Sequence, residues 1–164
     1  MSRVAIVIPT WNNIQFLRQS VTSLLDRTQG VEYRIICVPN GCDDGTVQWL
    51  QRKGIQFVEL GVPSGFITST NAGLAQVEPD EHVLLLNDDV RITDPFWLQR
   101  LLRAFDDPEV GAVGPVSNFI LGAQDFRLDR LPETHDAPFL IGLCLLIRNE
   151  TFAKVGKLDE AFGI

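Results

Sequence analysis

Hydrophobic residues along this chain form two alternating patterns: continuous apolar runs, and apolar positions spaced three or four residues apart. The first run, Val4 to Ile8, is unbroken and mostly β-branched, and it ends at Pro9. Such a run predicts a strand that is buried on both faces. The positions that follow have helical spacing and predict an amphipathic helix; they are Ile14, Leu17, Val21, Leu24 and Leu25.

The same two patterns repeat to the end of the chain. Further strands are predicted at Tyr33 to Val38, Ile55 to Leu60, His82 to Leu86, Val110 to Val113 and Phe139 to Ile147. Helices are predicted around residues 47–50, 66–76, 94–105 and 149–155. Residues 117–138 have weak periodicity and contain two prolines, so they are predicted to form a long loop.

Residues that favour helix N-termini precede three of the predicted helices. The candidate caps are Asn12 or Asn13 for the first helix, Asp43 or Asp44 for the second, and Asp94, followed by Pro95, for the fourth.

The order of these elements predicts an α/β fold. Strand and helix alternate four times, which is typical of a mostly parallel sheet of Rossmann type with helices on both faces. A length of 164 residues suits a single domain over 1–164. Ligands of such sheets bind beyond the carboxyl ends of the strands. Polar clusters follow three of the strands, at residues 10–12, 40–44 and 87–89, and the fold would bring them to one edge.

Composition narrows the classes of partner. The chain is 45% hydrophobic and carries a net charge of −7 without clustered Lys or Arg, so nucleic acid is not an expected partner. The three cysteines include no Cys-x-x-Cys pair, and Cys37 and Cys144 lie in apolar runs. A reducing compartment is therefore expected, namely the cytoplasm. A peripheral position at the inner face of the membrane is compatible with this expectation. No signal peptide or transmembrane segment is evident.

The strongest local signal for chemistry is the acidic turn Asn87-Asp88-Asp89 at the end of an apolar strand. Two adjacent carboxylates repel each other unless a positive charge neutralises them, and oxygen ligands suit Mg²⁺ or Mn²⁺. The turn alone is equally compatible with a solvated or helix-capping role for Asp88 and Asp89.

Two other turns contain groups that could bind a nucleotide. Trp11 could stack on a nucleobase, or it could pack beneath the loop that follows it. The turn from Asn40 to Thr46 is rich in turn-forming residues, and a connecting role is its simpler interpretation. The chain contains no Gly-x-Gly-x-x-Gly after the first strand, no Walker loop and no nucleophile-elbow motif.

Taken together, these segments resemble the family 2 glycosyltransferases, which have the GT-A fold. The resemblance covers the whole chain in the expected order, and six motifs in order are more specific than any one alone. The matching segments are 5–12, 38–46, 65–74, 85–90, 110–115 and 142–148.

The resemblance implies a nucleotide-diphospho-sugar donor, a bound Mn²⁺ or Mg²⁺, and transfer with inversion to an unidentified glycan, lipid or protein acceptor. Asp89 corresponds most directly to the metal ligand of the family's Asp-x-Asp motif, and Asp88 would contact the ribose or assist the metal. The other positions expected in the nucleotide site are Pro9, Thr10, Trp11, Asn12, Asn40, Gly65 and Asn71.

The sequence departs from the family pattern at three places. Pro39 stands where relatives commonly have a base-binding Asp, and Pro63 where Asn is usual. The acidic motif that supplies the catalytic base usually follows a segment like 157–163, so the base is expected beyond Ile164 and the chain is expected to be a fragment. Asp159 and Glu160 are interpreted as structural.

Two other functional classes are alternatives to a transferase for this sequence. A non-catalytic binding or scaffolding module would explain Pro39 and the missing base. A nucleotidyltransferase would need a glycine-rich loop with a basic residue after the first strand, and residues 9–13 do not form one.

Overall fold

The computed structural model describes residues 3–116 and 135–162. Its strands are β1 (Arg3–Thr10), β2 (Glu32–Pro39), β3 (Gln56–Phe57), β4 (Glu81–Leu86), β5 (Ala112–Val113) and β6 (Cys144–Ile147). Its helices are α1 (Ile14–Arg27), α2 (Thr46–Lys53), α3 (Gly65–Leu74), α4 (Trp97–Arg103) and α5 (Asn149–Val155), with short 3-10 helices at Ala104–Asp106 and Glu160–Phe162. Most of the predicted loop at 117–138 lies outside the described residues.

The six strands form one sheet in the order β3-β2-β1-β4-β6-β5. β1 pairs in parallel with both β2 and β4, and β2 pairs in parallel with β3. β6 pairs antiparallel with β4 and with β5, so it runs against the other five described strands. The prediction of a mostly parallel α/β sheet is therefore confirmed.

Helices cover both faces of the sheet, as the sequence predicted. On one face, Leu17 of α1, Leu50 of α2 and Leu98 of α4 pack on Ile6 and other residues of the central strands. On the other face, Leu74 of α3 packs with residues that include Val7 and Val38, and α5 adds Phe152. Each face of β1 is therefore buried beneath helices, which explains its unbroken apolar run.

The regular strands are shorter than predicted at two places. β3 covers two residues of the predicted 55–60, although Val58 and Leu60 still donate backbone hydrogen bonds to β2 at 2.9 Å each. β6 begins at Cys144, because only residues 144–147 pair with β4, and Phe139 is 52% exposed. The apolar run from residue 139 therefore overstated the length of the last strand.

Two of the predicted helix caps are wrong. α4 begins at Trp97 instead of Pro95, because the Asp94 carboxylate accepts the Phe96 N–H at 3.0 Å and closes a separate turn. α2 is preceded by Gly45 in the left-handed conformation, so neither Asp43 nor Asp44 occupies the cap position. α1 does follow Asn13, but the side chain of Asn13 makes no capping hydrogen bond.

Cys37 and Cys144 are buried as predicted, and the three cysteines are free thiols. Burial raises the pKa of each of these two thiols to about 12, so both stay protonated at neutral pH. Within 3–116 and 135–162, no helix is long and apolar enough to cross a membrane.

Candidate functional site

A cleft of about 460 Å³ opens at the carboxyl ends of β1, β2 and β4. It is lined by Pro9, Thr10, Trp11, Asn13, Asn40, Pro63, Gly65, Phe66, Ser69, Asn87 and Asp88. The three polar turns therefore meet at one edge of the sheet, as the strand order required. Of the predicted nucleotide residues, six line this cleft: Pro9, Thr10, Trp11, Asn40, Gly65 and Asp88.

The acidic turn is hydrogen-bonded directly to the loop after β1. Thr10 Oγ1 donates to Asp88 Oδ2 at 2.6 Å, and Asn13 Nδ2 donates to Asp88 Oδ1 at 2.9 Å. Each carboxylate oxygen of Asp88 thus accepts a hydrogen bond from a residue that flanks Trp11 and Asn12. The neighbouring carboxylate of Asp89 is exposed and has no such partner among the described residues.

The same loop is held on its other side by the turn after β2. Asn12 Oδ1 accepts the Asp43 N–H at 2.9 Å, and the Asn12 N–H donates to Cys42 Sγ at 3.4 Å. Asp44 Oδ2 accepts the N–H of Ile14 at 2.9 Å, which provides the start of α1 with a capping carboxylate from another loop. Asn12 therefore joins two loops and does not line the cleft.

Two aromatic side chains stand open at this edge. Trp11 is 61% exposed and Phe66 is 54% exposed, and both line the cleft. The alternative interpretation of the sequence, that Trp11 is buried beneath the following loop, is therefore wrong. Exposed rings beside a polar cleft are available to stack on a planar ligand.

Asn40 shapes the wall of the cleft between β2 and α3. Its side chain is buried, Oδ1 accepts the Ser64 N–H at 2.7 Å, and Nδ2 donates to the Gly65 carbonyl at 3.4 Å. Gly65 has a φ of 78°, a conformation that glycine adopts readily. Asn40 therefore fixes the chain where it enters α3, at the point where Phe66 projects into the cleft.

Asn71 lies in the same helix but does not line the cleft. Its Oδ1 accepts the Leu158 N–H at 2.9 Å, while Nδ2 donates to the Leu158 carbonyl at 2.9 Å and to Glu160 Oε1 at 3.2 Å. The structure thus uses Asn71 to hold segment 158–160 on α3. A contact of Asn71 with nucleotide stays a prediction.

We expect Asn71→Ala to lower the free energy of unfolding by about 1–2 kcal/mol, because it leaves backbone groups of Leu158 unpaired. Hydrogen exchange at the Leu158 amide should accelerate, and urea unfolding measures the stability. Asn149→Ala is the matched control, since its amide makes only one long hydrogen bond of 3.5 Å, to Pro79. An unchanged Leu158 exchange rate in Asn71→Ala would contradict this role.

The acidic turn offers oxygen donors of the type that Mg²⁺ and Mn²⁺ prefer, with Asp89 exposed and Asp88 half-buried. Within 3–116 and 135–162, no three His, Cys, Asp or Glu side chains lie close enough together to hold a metal ion. The described part of the chain therefore contributes at most two carboxylates here. This fits a cation that shares its coordination with phosphate oxygens and water.

Sequence reasoning missed the placement of Asn13 and Ser69 in the cleft. Asn13 was a candidate helix cap, yet it lines the cleft and donates a hydrogen bond to Asp88. Ser69 also lines the cleft, as does Asn87, which belongs to the turn that was expected at this edge. Ser69 gave no signal in the sequence, because the turn of α3 that faces the cleft depends on how α3 packs on the sheet.

Residues 5–156 match the sequence model of the family described as Glycosyl transferase family 2. The chain belongs to this family. The match spans the three polar turns and all of β1 to β6 except the first residues of β1. The residues that match glycosyl transferase family 2 therefore include every strand and turn that forms the cleft.

Two relatives of this family member extend well beyond it. It is 32% identical to protein y4gI of Sinorhizobium fredii over 190 residues, which covers 96% of this chain and 21% of y4gI. It is 28% identical to the O-antigen biosynthesis protein RfbC of Myxococcus xanthus over 193 residues, which covers 99% of this chain and 15% of RfbC. The chain thus spans about a fifth or less of each relative.

The fold is also similar to solved structures. The mannosyltransferase PcManGT from Pyrobaculum calidifontis, solved in complex with GDP-Man and Mn²⁺, superimposes with a TM-score of 0.80 at 19% identity. The match covers 96% of this chain and 47% of the mannosyltransferase. This likeness establishes a GT-A-like fold, as the sequence predicted.

Proposed function

We propose that this chain binds a nucleotide-diphospho-sugar with a divalent cation in the cleft and supports sugar transfer to an acceptor hydroxyl with inversion. The observation that carries the proposal is the pairing of an exposed aromatic ring, Trp11, with an acidic turn at the ends of adjacent parallel strands in a family 2 chain. Mn²⁺ in the complex of PcManGT with GDP-Man supports the choice of cation.

The dimensions of the edge suit a nucleoside diphosphate. β1 and β4 are hydrogen-bonded neighbours, and neighbouring strands lie about 4.8 Å apart. Trp11 follows the end of β1, and Asp89 follows the end of β4 by three residues. A base stacked on Trp11 would therefore place its diphosphate within reach of the acidic turn.

Charge explains why a cation is needed. The chain has a net charge of −7, and the turn that would face the diphosphate contains Asp88 and Asp89. When bound, a divalent cation would neutralise this repulsion and offset the charge that develops on the leaving diphosphate. Asp89 is the residue that would hold it, because its carboxylate is exposed and makes no hydrogen bond within the described residues.

Inversion requires a carboxylate base to deprotonate the acceptor hydroxyl. Glu160 is not our candidate, because its carboxylate accepts a hydrogen bond from Asn71 and thereby belongs to the contact that holds segment 158–160.

Isothermal titration calorimetry with GDP and UDP, each with and without Mn²⁺, tests the proposal. We expect Mn²⁺ to strengthen nucleoside diphosphate binding, and we expect Asp89→Ala to remove that increase, a loss of at least about tenfold in affinity. Asp26→Ala is the control, since this exposed carboxylate lies near the far end of α1. Retention of the Mn²⁺-dependent increase in Asp89→Ala would exclude the proposed cation site.

A non-catalytic module remains the second candidate, and Pro39 is the observation that favours it. Pro39 is buried at the end of β2 and has no side-chain acceptor for a base, although its carbonyl accepts the Leu60 N–H at 2.9 Å. Binding of nucleotide sugars without turnover would support this candidate.

A further inference from the structure

We propose that Asp88 is a positioning residue that orients Trp11, and that it is not a ligand of the cation. This inference rests on the proposed function, because it assigns different tasks to the two carboxylates of that site. Asp89 would hold the cation, and Asp88 would orient Trp11, the aromatic platform for the base. The resemblance to the family implied that Asp88 contacts the ribose or assists the metal.

The geometry around Asp88 supports this division. Its two carboxylate oxygens accept hydrogen bonds from Thr10 at 2.6 Å and from Asn13 at 2.9 Å. Charge-assisted hydrogen bonds of this length are about twice as strong as neutral ones. Thr10 is 3% exposed at the end of β1, so its hydroxyl gives Asp88 a fixed anchor in the sheet.

Thr10 and Asn13 enclose the two residues that form the platform. Trp11 is 61% exposed, so packing covers the smaller part of this residue, and the direction of its ring depends on its backbone as well. Asn12 has a φ of 47°, in the left-handed region, which asparagine tolerates better than most non-glycine residues. The direction of the chain at residues 11 and 12 therefore depends on the contacts that keep Asn12 in this conformation.

Two sets of contacts hold this loop. On the outer side, Asn12 is bonded to Cys42 and to the N–H of Asp43. On the inner side, Asp88 is bonded to both residues that flank the pair 11–12. Loss of Asp88 would therefore free the inner side of the loop and let the indole move.

Asp88→Asn tests the proposal, because it removes the negative charge that strengthens both hydrogen bonds and replaces one acceptor oxygen by an NH₂ group. The chain has three tryptophans, so each indole N–H gives a separate signal in a ¹⁵N-labelled sample, and Trp11→Phe identifies that of Trp11. We expect a lower heteronuclear NOE for the Trp11 indole in Asp88→Asn and an unchanged value in Asp89→Asn. A Trp11 indole that remains as ordered as in the wild type would overturn the proposal.

Binding without metal provides a second measurement. In EDTA, where no cation contributes, Asp88→Asn should bind GDP or UDP about three- to tenfold more weakly than Asp89→Asn, which removes the same negative charge from the turn. With Mn²⁺ added, Asp88→Asn should keep the metal-dependent increase that Asp89→Asn loses. The opposite pattern, with normal binding in EDTA and no response to Mn²⁺ in Asp88→Asn, would make Asp88 a cation ligand.

Thr10→Val provides a matched variant that leaves the carboxylate in place. It removes one donor to Asp88 at nearly constant volume, so it should mobilise the Trp11 indole as Asp88→Asn does and retain the response to Mn²⁺. The NOE measurement needs no ligand. A chain that binds no nucleotide would therefore refute the proposed function, and the role of Asp88 would still be decided by the mobility of Trp11.

Discussion

Glu81→Ala is expected to lower the free energy of unfolding by about 3 kcal/mol, the lower end of the effect of breaking a buried ion pair, because only one of the two partners is buried. Glu81 opens β4 and is 2% exposed, and its lowered pKa keeps it charged at neutral pH. Removal of its side chain would leave Arg34, which is 28% exposed, with its hydrogen bonds to Gln56 and to the Gln76 carbonyl. Urea or thermal unfolding of both proteins measures the difference.

The contacts of Glu81 justify this magnitude. Arg34 on β2 donates from Nε to Glu81 Oε1 and from Nη2 to Glu81 Oε2, both at 2.7 Å. Arg3 approaches Glu81 at 3.6 Å, and the N–H of Glu78 donates to it at 2.9 Å. Each oxygen of Glu81 therefore has a donor, which is the condition under which a buried carboxylate is tolerated.

The same contacts predict a dependence on pH. The hydrogen bonds from Arg34 hold the pKa of Glu81 below its ordinary value of 4.5, against the opposing effect of burial. A carboxylate whose pKa is lower in the folded state contributes stability that is complete above 4.5 and is lost as the pH falls through the folded-state pKa. Stability should therefore decline below about pH 4.5 in the wild type, and less steeply in Glu81→Gln.

Asp80→Ala is the matched control for Glu81. Asp80 also binds an arginine, Arg3, at 2.9 Å, but its side chain is 65% exposed, and exposed ion pairs contribute about 0–1 kcal/mol. If Glu81→Ala yields too little folded protein to measure, Glu81→Gln keeps the shape and one acceptor and should fall between the two. Equal effects at positions 80 and 81 would contradict the importance of burial.

Gly73→Val is expected to destabilise the fold by about 3 kcal/mol, at the upper end of the range for overpacking in a core. A Cβ atom at position 73 would lie 2.9 Å from Val38 Cγ2 and closer still to Val7 Cγ1. Both valines lie in the buried cluster between α3 and the central strands, so neither can move aside without displacing its neighbours. Chemical denaturation and circular dichroism measure the loss.

Gly73→Ala separates crowding from helix propensity. Alanine in a helix is more favourable than glycine by about 1 kcal/mol, so a position with free space would gain stability from this change. We expect Gly73→Ala to lose stability instead, and Gly61→Ala, where a Cβ would meet nothing within 4 Å, to change it little. A more stable Gly73→Ala protein would show that α3 can shift away from the sheet.

Gly73 also shows how the resemblance and the structure assign different reasons to one motif. Asn71 was expected in the nucleotide site because it matches a family motif, and Gly73 belongs to the same matching segment. In the structure, Gly73 allows α3 to lie close to β1 and β2, and Asn71 holds segment 158–160. The motif therefore supports the cleft through packing, while the cleft itself is lined by the first turns of α3 at Gly65, Phe66 and Ser69.

Periodicity in the sequence was sufficient for much of the fold. It predicted the first four strands, the helices that follow them, and the edge at which the polar turns would meet, since a parallel sheet brings the carboxyl ends of its strands together. It did not predict the direction of β6, because an apolar run of strand length is the same in either direction. The cap signal at Asp94 and Pro95 also placed the start of α4 too early, because residues 95 and 96 form a separate turn closed by the Asp94 carboxylate.

By itself, the sequence determined which residues are apolar, at what spacing, and where polar turns interrupt them, and these local properties fixed the α/β architecture and the position of the acidic turn. The tertiary structure alone decided the partners of the polar side chains. Asp88 meets Thr10 and Asn13 from 78 and 75 residues away, Glu81 meets Arg34 from 47, and Asn71 meets Leu158 from 87. The residues next to a carboxylate or amide in the sequence do not indicate its hydrogen-bond partner. The partner depends on which chain segments the packed core brings within about 3 Å.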